Sequence, residues 1–190
     1  MNSTKLNPEF NERLEALLEA CAERGVIMRP YSGYRGCIEQ GKLWRQSRPS
    51  WKVRQKIAWL EERGAHYLAE CLDRAGPTSG PHVTNAYGGL SWHNFGEAAD
   101  CYWEVDGRAN WSTKEGGNQN GYSIYGALAG RYGLTSLGNE YGWDWVHVQL
   151  RPESSPSKIY SILEVNDHLE GFAEGQSSLL IPPHFDGRLG

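Results

Sequence analysis

The chain has no C-x-x-C pair; its four cysteines, Cys21, Cys37, Cys71 and Cys101, are scattered along the 190 residues. Cys21 falls inside a helical apolar pattern, and burial as free thiols is the expectation for all four. A chain of this length buries most of its unfolded surface without disulfides, so no covalent staple is required. Long apolar runs are also missing. Met1 to Asn7 holds none, so neither a secretory signal nor a membrane span is expected, and synthesis in the cytoplasm follows. Nor is there a large excess of one charge: the formal net charge is −4. Nothing in that balance favours nucleic acid or an anionic membrane surface as partner. No internal repeat is visible.

What the chain does have is Ser91-Trp92-His93-Asn94-Phe95-Gly96-Glu97-Ala98-Ala99-Asp100, which sets a histidine and a carboxylate seven positions apart around a glycine. As a strand those steps would separate His93 from Asp100 by roughly 23 Å, and as a helix by about 10 Å. Ligands of one zinc ion sit about 2 Å from it. The chain must therefore fold back, and Gly96 supplies the backbone freedom for that bend. Beyond it Ala98, Asp100 and Tyr102 alternate with Ala99, Cys101 and Trp103 as a strand would. His93 is expected on a turn and Asp100 on a strand.

A catalytic zinc takes three protein groups and leaves a position for water, so a third ligand is needed. The best candidate lies in Gly142-Trp143-Asp144-Trp145-Val146-His147-Val148-Gln149-Leu150. Val146, Val148 and Leu150 share one parity and would face a core; Trp145, His147 and Gln149 face the other way. Asp144 has core parity, so it is useful only if the chain still turns from Gly142 to Asp144. It could then stand over the water.

The rest reads as scaffold. Asn7-Pro8 marks a helix start, with Phe10, Leu14, Leu17, Leu18 and Cys21 at helical spacing until Gly25. Val26 to Met28 reads as a short strand ended by Pro30, delivering Tyr31 to Arg35 to a loop. Cys37 to Gln46 suits a helix, and Ser50 reads as the cap of another, carrying Val53, Ile57 and Leu60. Gly64 interrupts before Leu68 and Leu72, and Gly76-Pro77 closes that stretch. Residues 76 to 92 read as a loop. Asp106-Gly107 is a turn signal, Arg108 to Gly121 a polar surface excursion, and Tyr122 to Tyr132 a helix closed by Gly133. A helix is expected after Leu150 through Ile159, Ile162 and Leu163, with little periodicity beyond. Residues 1–165 are read as the functional domain and 166–190 as an extension of unknown role. Helices early and strands late favour an α+β fold, a small antiparallel sheet flanked by helices.

The pattern S-x-H-x-x-G-x-A-x-D followed much later by D-x-x-H resembles the zinc D,D-peptidase and L-alanyl-D-glutamate peptidase family, which includes phage endolysins and D-alanyl-D-alanine carboxypeptidases. Ser32-Gly33-Tyr34-Arg35 is similar to its S-G-Y-R segment, with Gln40 five residues after the arginine. His82-Val83-Thr84-Asn85-Ala86 and Gly88-Gly89 are similar to the endolysin-type lead-in. The resemblance covers residues 26 to 150. It implies a D-Ala-D-Ala peptidase/Hedgehog-like fold, a Zn2+ cofactor on His93, Asp100 and His147, and a bacterial peptidoglycan peptide stem as substrate.

Within that reading Asp144 is the general base, the alternative being a turn carboxylate that orients His147. Aspartate here, where many relatives carry glutamate, points to the endolysin-like branch. Arg35 would stabilise the oxyanion as it develops. Gln40 would hold the substrate backbone or else face solvent, and Ser91 would bind a peptide carboxylate or fix the turn. Ser32 is a further substrate-binding candidate. His82 is not used by the pattern; His66, His168 and His184 are expected at the surface or in structural roles. Trp92, Trp143 and Trp145 would wall a cleft or pack in the core.

The expected activity is cleavage between L-alanine and D-glutamate, with D-alanyl-D-alanine carboxypeptidase activity as the alternative. A zinc-bearing binding module without hydrolysis is the reading from another class. Without an export signal the protein would reach the wall as a phage lysin, or as an injected toxin with an inhibitory partner protein encoded alongside.

Overall fold

A computed structural model describes residues 5–114, 117 and 120–175. The chain divides into two compact units, Met1–Tyr34 with Gly96–Ser154, and Arg35–Phe95 with the residues from Ser155 on. The architecture is α+β, with antiparallel strand pairing throughout.

In the first unit, α1 spans Pro8–Ala22 and buries Phe10, Leu14, Leu17, Ala20 and Cys21 on one face. The Asn7 side-chain oxygen accepts from the Glu9 and Phe10 amides at 2.9 and 3.3 Å, satisfying donors that have no partner within the helix. Strand β1 is Ile27–Ser32 and so runs on through Pro30, where the sequence suggested it would end. Among the described residues it pairs only with β2, at the edge of the sheet, where a residue without an N–H costs no ladder bond on its open side. The register shifts between Pro30 and Ser32.

Strand β2, Ala98–Val105, is central. One edge pairs with β1; the other pairs with β5, His147–Gln149, at its start and with β3, Arg108–Asn110, at its end. β3 occupies the beginning of what reads as a polar excursion. Asp106 and Gly107 have φ of 49° and 71°, the left-handed geometry of a two-residue hairpin turn. That turn returns the chain alongside β2 whatever the polarity of the next three residues. Asn120 caps α5, Gly121–Ala129, and a 3-10 turn at Gly130–Tyr132 leads to β4, Thr135–Ser136, and α6, Leu137–Tyr141. These last two elements are too short for any periodicity to announce them. The core of this unit joins Phe10, Leu14 and Leu17 to Met28, Ala99, Cys101, Tyr122, Tyr125 and Val148.

In the second unit, α2 is Cys37–Arg45, α3 Ser50–Glu61 and α4 His66–Arg74. Pro49, not Ser50, takes the cap position of α3. The stretch after α4 has no regular element until a 3-10 turn at Trp92–Phe95. The helix expected directly after Leu150 starts later. Pro156–Lys158 forms only a 3-10 turn, and α7, Ile162–Ala173, begins at Ser161 with a reciprocal capping box to Glu164. It continues into residues that looked aperiodic, because only Val165, Asn166 and Leu169 are fully buried and one of them is polar. The Leu68 amide donates to the Asn166 side-chain oxygen at 3.2 Å. His184 lies outside the described residues.

All four cysteines are free and buried. Among the described residues no helix is long and apolar enough to cross a membrane.

Asn7 both caps α1 and donates from Nδ2 to the buried Glu97 carboxylate at 3.1 Å. Asn7→Ala should lower the unfolding free energy by about 1–3 kcal/mol, the cap plus one lost partner of a buried charge, measured by urea titration.

Candidate metal centre

His93 is set by a small polar network. The Asn94 amide donates to the Ser91 carbonyl at 2.9 Å, closing the 3-10 turn. Its Oδ1 accepts from the Gly89 and Ser91 amides at 2.9 and 3.3 Å, and its Nδ2 donates to the Arg35 carbonyl at 2.7 Å. The Arg35 amide in turn donates to the His93 carbonyl at 3.0 Å. Gly96 then reverses the chain at φ 65°, a conformation costly for a residue with a Cβ.

β2 carries Asp100 to a position opposite His147 on β5 and opposite Ser32 on β1. His147 Nδ1 lies 3.0 Å from Asp100 Oδ1. One ligand atom from each of His93, Asp100 and His147 lies within 4.8 Å of the other two, and all three residues are buried. Two imidazoles and a carboxylate are a zinc donor set, and this separation lets one ion about 2 Å from each be shared with little adjustment. Among the described residues it is the one group of three or more such side chains able to hold a metal ion.

Burial lowers the pKa of the His147 imidazole, but the hydrogen bond and charge of Asp100, then the charge of Asp144 and the oxygen of Gln149, outweigh it. The net shift is upward from the ordinary histidine value. His147 has the parity expected of it, yet it is not open to solvent, because all three residues of β5 are buried. Asp144 sits at φ 54° just after Gly142 at 74°, so the chain is still turning there. Its side chain is exposed, and its carbonyl accepts from the His147 amide at 3.2 Å.

Gln40 is 1% exposed, which removes the solvent-facing alternative. Its Oε1 accepts from Arg35 Nη1 at 2.8 Å, while its Nε2 donates to the Ala86 carbonyl at 2.7 Å and to Thr84 Oγ1 at 3.4 Å. Both ends of the Gln40 amide are therefore engaged by protein groups. Ser91 is partly buried and starts the turn before His93. Of the tryptophans, Trp92 is core and packs on Phe95 at 5.8 Å, Trp145 is half-buried and Trp143 is exposed. His82 contacts Ser47, His66 is exposed beside Glu61, and His168 stacks on Phe95.

A model of the VanY family, described as D-alanyl-D-alanine carboxypeptidase, matches residues 3–137. The chain belongs to this family. The match takes in His93 and Asp100 and ends before Asp144 and His147, so for the last two the geometry above stands by itself. The peptidoglycan L-alanyl-D-glutamate endopeptidase CwlK of Bacillus subtilis (strain 168) is 29% identical over 141 residues, which cover 74% of this chain and 66% of CwlK. This VanY-family chain thus spans just under two thirds of its curated relative's length. Two solved structures are similar at 16% identity and a TM-score of 0.39. One is a vancomycin-resistance D,D-pentapeptidase VanY variant in complex with Zn(II), covering 87% of this chain and 78% of that one. The other is VanYB in complex with D-alanine-D-alanine, covering 90% and 84%.

Asn94, Gln149 and the pair Glu97–Arg151 belong to no motif that singles them out in the sequence. Glu97 is fully buried and shares the parity of Ala99 and Cys101, and a charge at a core position has to find a partner. Parity was the available signal for Gln149 too, which lies on the same face as His147.

The raised His147 pKa sets a pH dependence. In the metal-free chain, the His147–Asp100 pair contributes stability that is fully present below the ordinary imidazole value and lost as pH rises through the raised native value. A bound divalent ion replaces the proton, so zinc affinity should fall as pH drops through the same range. Chelator competition and thermal melts across pH 5–9, with His147→Gln as reference, measure both slopes; that variant should lack both.

Proposed function

We propose that this chain is a zinc peptidase hydrolysing an amide bond in the peptide stem of peptidoglycan, with the bond between L-alanine and D-glutamate as its target. The reading is carried by the convergent His93, Asp100 and His147 group, with a carboxylate three residues before the last ligand. These three residues would hold the ion. When bound, zinc withdraws charge from the scissile carbonyl and makes water a usable nucleophile at neutral pH.

Asp144 takes the proton from the attacking water and passes it to the leaving amine nitrogen. Its neighbourhood to His147, felt in the charge it exerts on that imidazole, supports the assignment. Arg35 donates to the carbonyl oxygen as negative charge gathers there, and the Gln40 oxygen on its Nη1 keeps the fork from swinging away. Ser32, the cross-strand partner of Asp100, and Ser91, at the head of the His93 turn, are proposed to bind the peptide.

The choice of bond is supported by the likeness to CwlK, whereas the family description favours removal of terminal D-alanine. Purified muropeptides digested with the chain and sized by mass spectrometry separate the two. Cleavage after L-alanine is expected, and release of D-alanine alone would replace this target with the carboxypeptidase one. Asp144→Ala should lower the rate by roughly two orders of magnitude or more while leaving bound zinc in place. A zinc-containing binding module would instead show no cleavage in the wild type. The substrate lies outside the cytoplasm, so we propose delivery by release through a damaged membrane or by injection into a rival cell; a co-encoded inhibitory protein would mark the second route.

A further inference from the structure

We infer that Gln149 is the positioning residue that fixes which nitrogen of His147 faces the metal. The assignment rests on the metal reading above and follows from the donors and acceptors around one amide. Gln149 is 1% exposed. Its Nε2 lies 2.6 Å from the Arg151 carbonyl and 2.7 Å from the Glu153 carbonyl. Both carbonyls can only accept. Turning the amide over would press its oxygen against two other oxygens, so the NH2 group must point to them and Oε1 must point the other way.

Oε1 meets His147 Nε2 at 3.1 Å. An amide oxygen accepts and cannot donate, so Nε2 carries the proton. In the metal-loaded neutral imidazole this leaves the lone pair on Nδ1, the nitrogen 3.0 Å from Asp100 Oδ1. A metal-ligating histidine commonly uses its second nitrogen to donate to an orienting acceptor. Here an amide takes that part, and its direction is set by two main-chain carbonyls.

One of those carbonyls is itself anchored. The Arg151 guanidinium donates from Nε and Nη2 to the fully buried Glu97 carboxylate at 2.7 and 3.0 Å. The Leu150 amide donates to the Glu97 carbonyl at 2.9 Å, and Asn7 adds its Nδ2 to the carboxylate. A continuous line of hydrogen bonds therefore runs from the cap of α1 through Glu97, Arg151 and Gln149 to the imidazole. Glu97 and Arg151 hold the end of β5 so that one amide can present only its oxygen to His147.

The test uses the full chain loaded with Zn2+. In the 15N-labelled wild type, His147 should show Nδ1 in the metal-bound range and a slowly exchanging proton on Nε2. Gln149→Leu keeps the bulk but removes the oxygen; zinc affinity by chelator competition should fall roughly 10–100-fold, and the Nε2 proton should exchange quickly. Gln149→Glu restores an acceptor but not the donors to Arg151 and Glu153, and it should recover most of that affinity. Zinc on Nε2 in the wild type overturns the assignment. So does an equal loss in both variants, since the amide would then matter through its donors to the chain and not through its oxygen. Thermal melts of both variants show whether each remains folded. A wild type that takes up no zinc overturns the metal reading and this assignment with it, and that result is read without any variant.

Discussion

The antiparallel register of β2 against β5 is the constraint on which the other features depend. It makes Asp100 and His147 cross-strand partners, although they lie 47 positions apart in the chain. Side chains directly opposite on one face of such a pair have Cβ atoms about 5 Å apart, which suits a shared ion. A slip of one residue would send His147 to the face now occupied by Val148, among Ala99, Cys101 and Tyr125. The hydrophobic face of the sheet thus guards the register, and the register keeps Asp100 opposite His147.

Burying this much charge needs compensation close at hand. Glu97 has a two-point contact with Arg151, an amide from Asn7 and a carbonyl occupied by Leu150. A buried ion pair of this kind contributes little net stability over apolar packing, while removal of one partner is costly. Its value lies in direction: it ties the start of β2, the end of β5 and the cap of α1 together. Arg35 is handled similarly, with its guanidinium on Gln40 and its main chain joined to His93 and Asn94. The Arg35 side chain and main chain are thereby both held in place by hydrogen bonds.

Much of this was legible in the residues. Asn7-Pro8 announced α1, Gly96 the reversal between His93 and Asp100, Asp106-Gly107 a turn, and the parity of Val146 to Leu150 a strand with His147 on one side. Local rules suffice there, because caps, positive φ and period-two alternation act over a few residues. They failed where the partner was remote. Pro30 does not end β1 because the strand is at an edge, β3 forms because a tight turn returns it to β2, and α7 runs on through a stretch with few buried positions.

The sequence by itself determined the inventory: which residues could bind a divalent metal, which carboxylate could serve as base, and which segments could be helix or strand. Those properties belong to side-chain chemistry and near-neighbour spacing, which travel with the chain. Tertiary structure alone decided that side-chain atoms of His93, Asp100 and His147 lie within 4.8 Å of one another, that Gln40 faces Arg35 and that Gln149 turns its oxygen to His147. Each depends on groups brought together by sheet register and loop closure, and no local pattern encodes a distance across the fold.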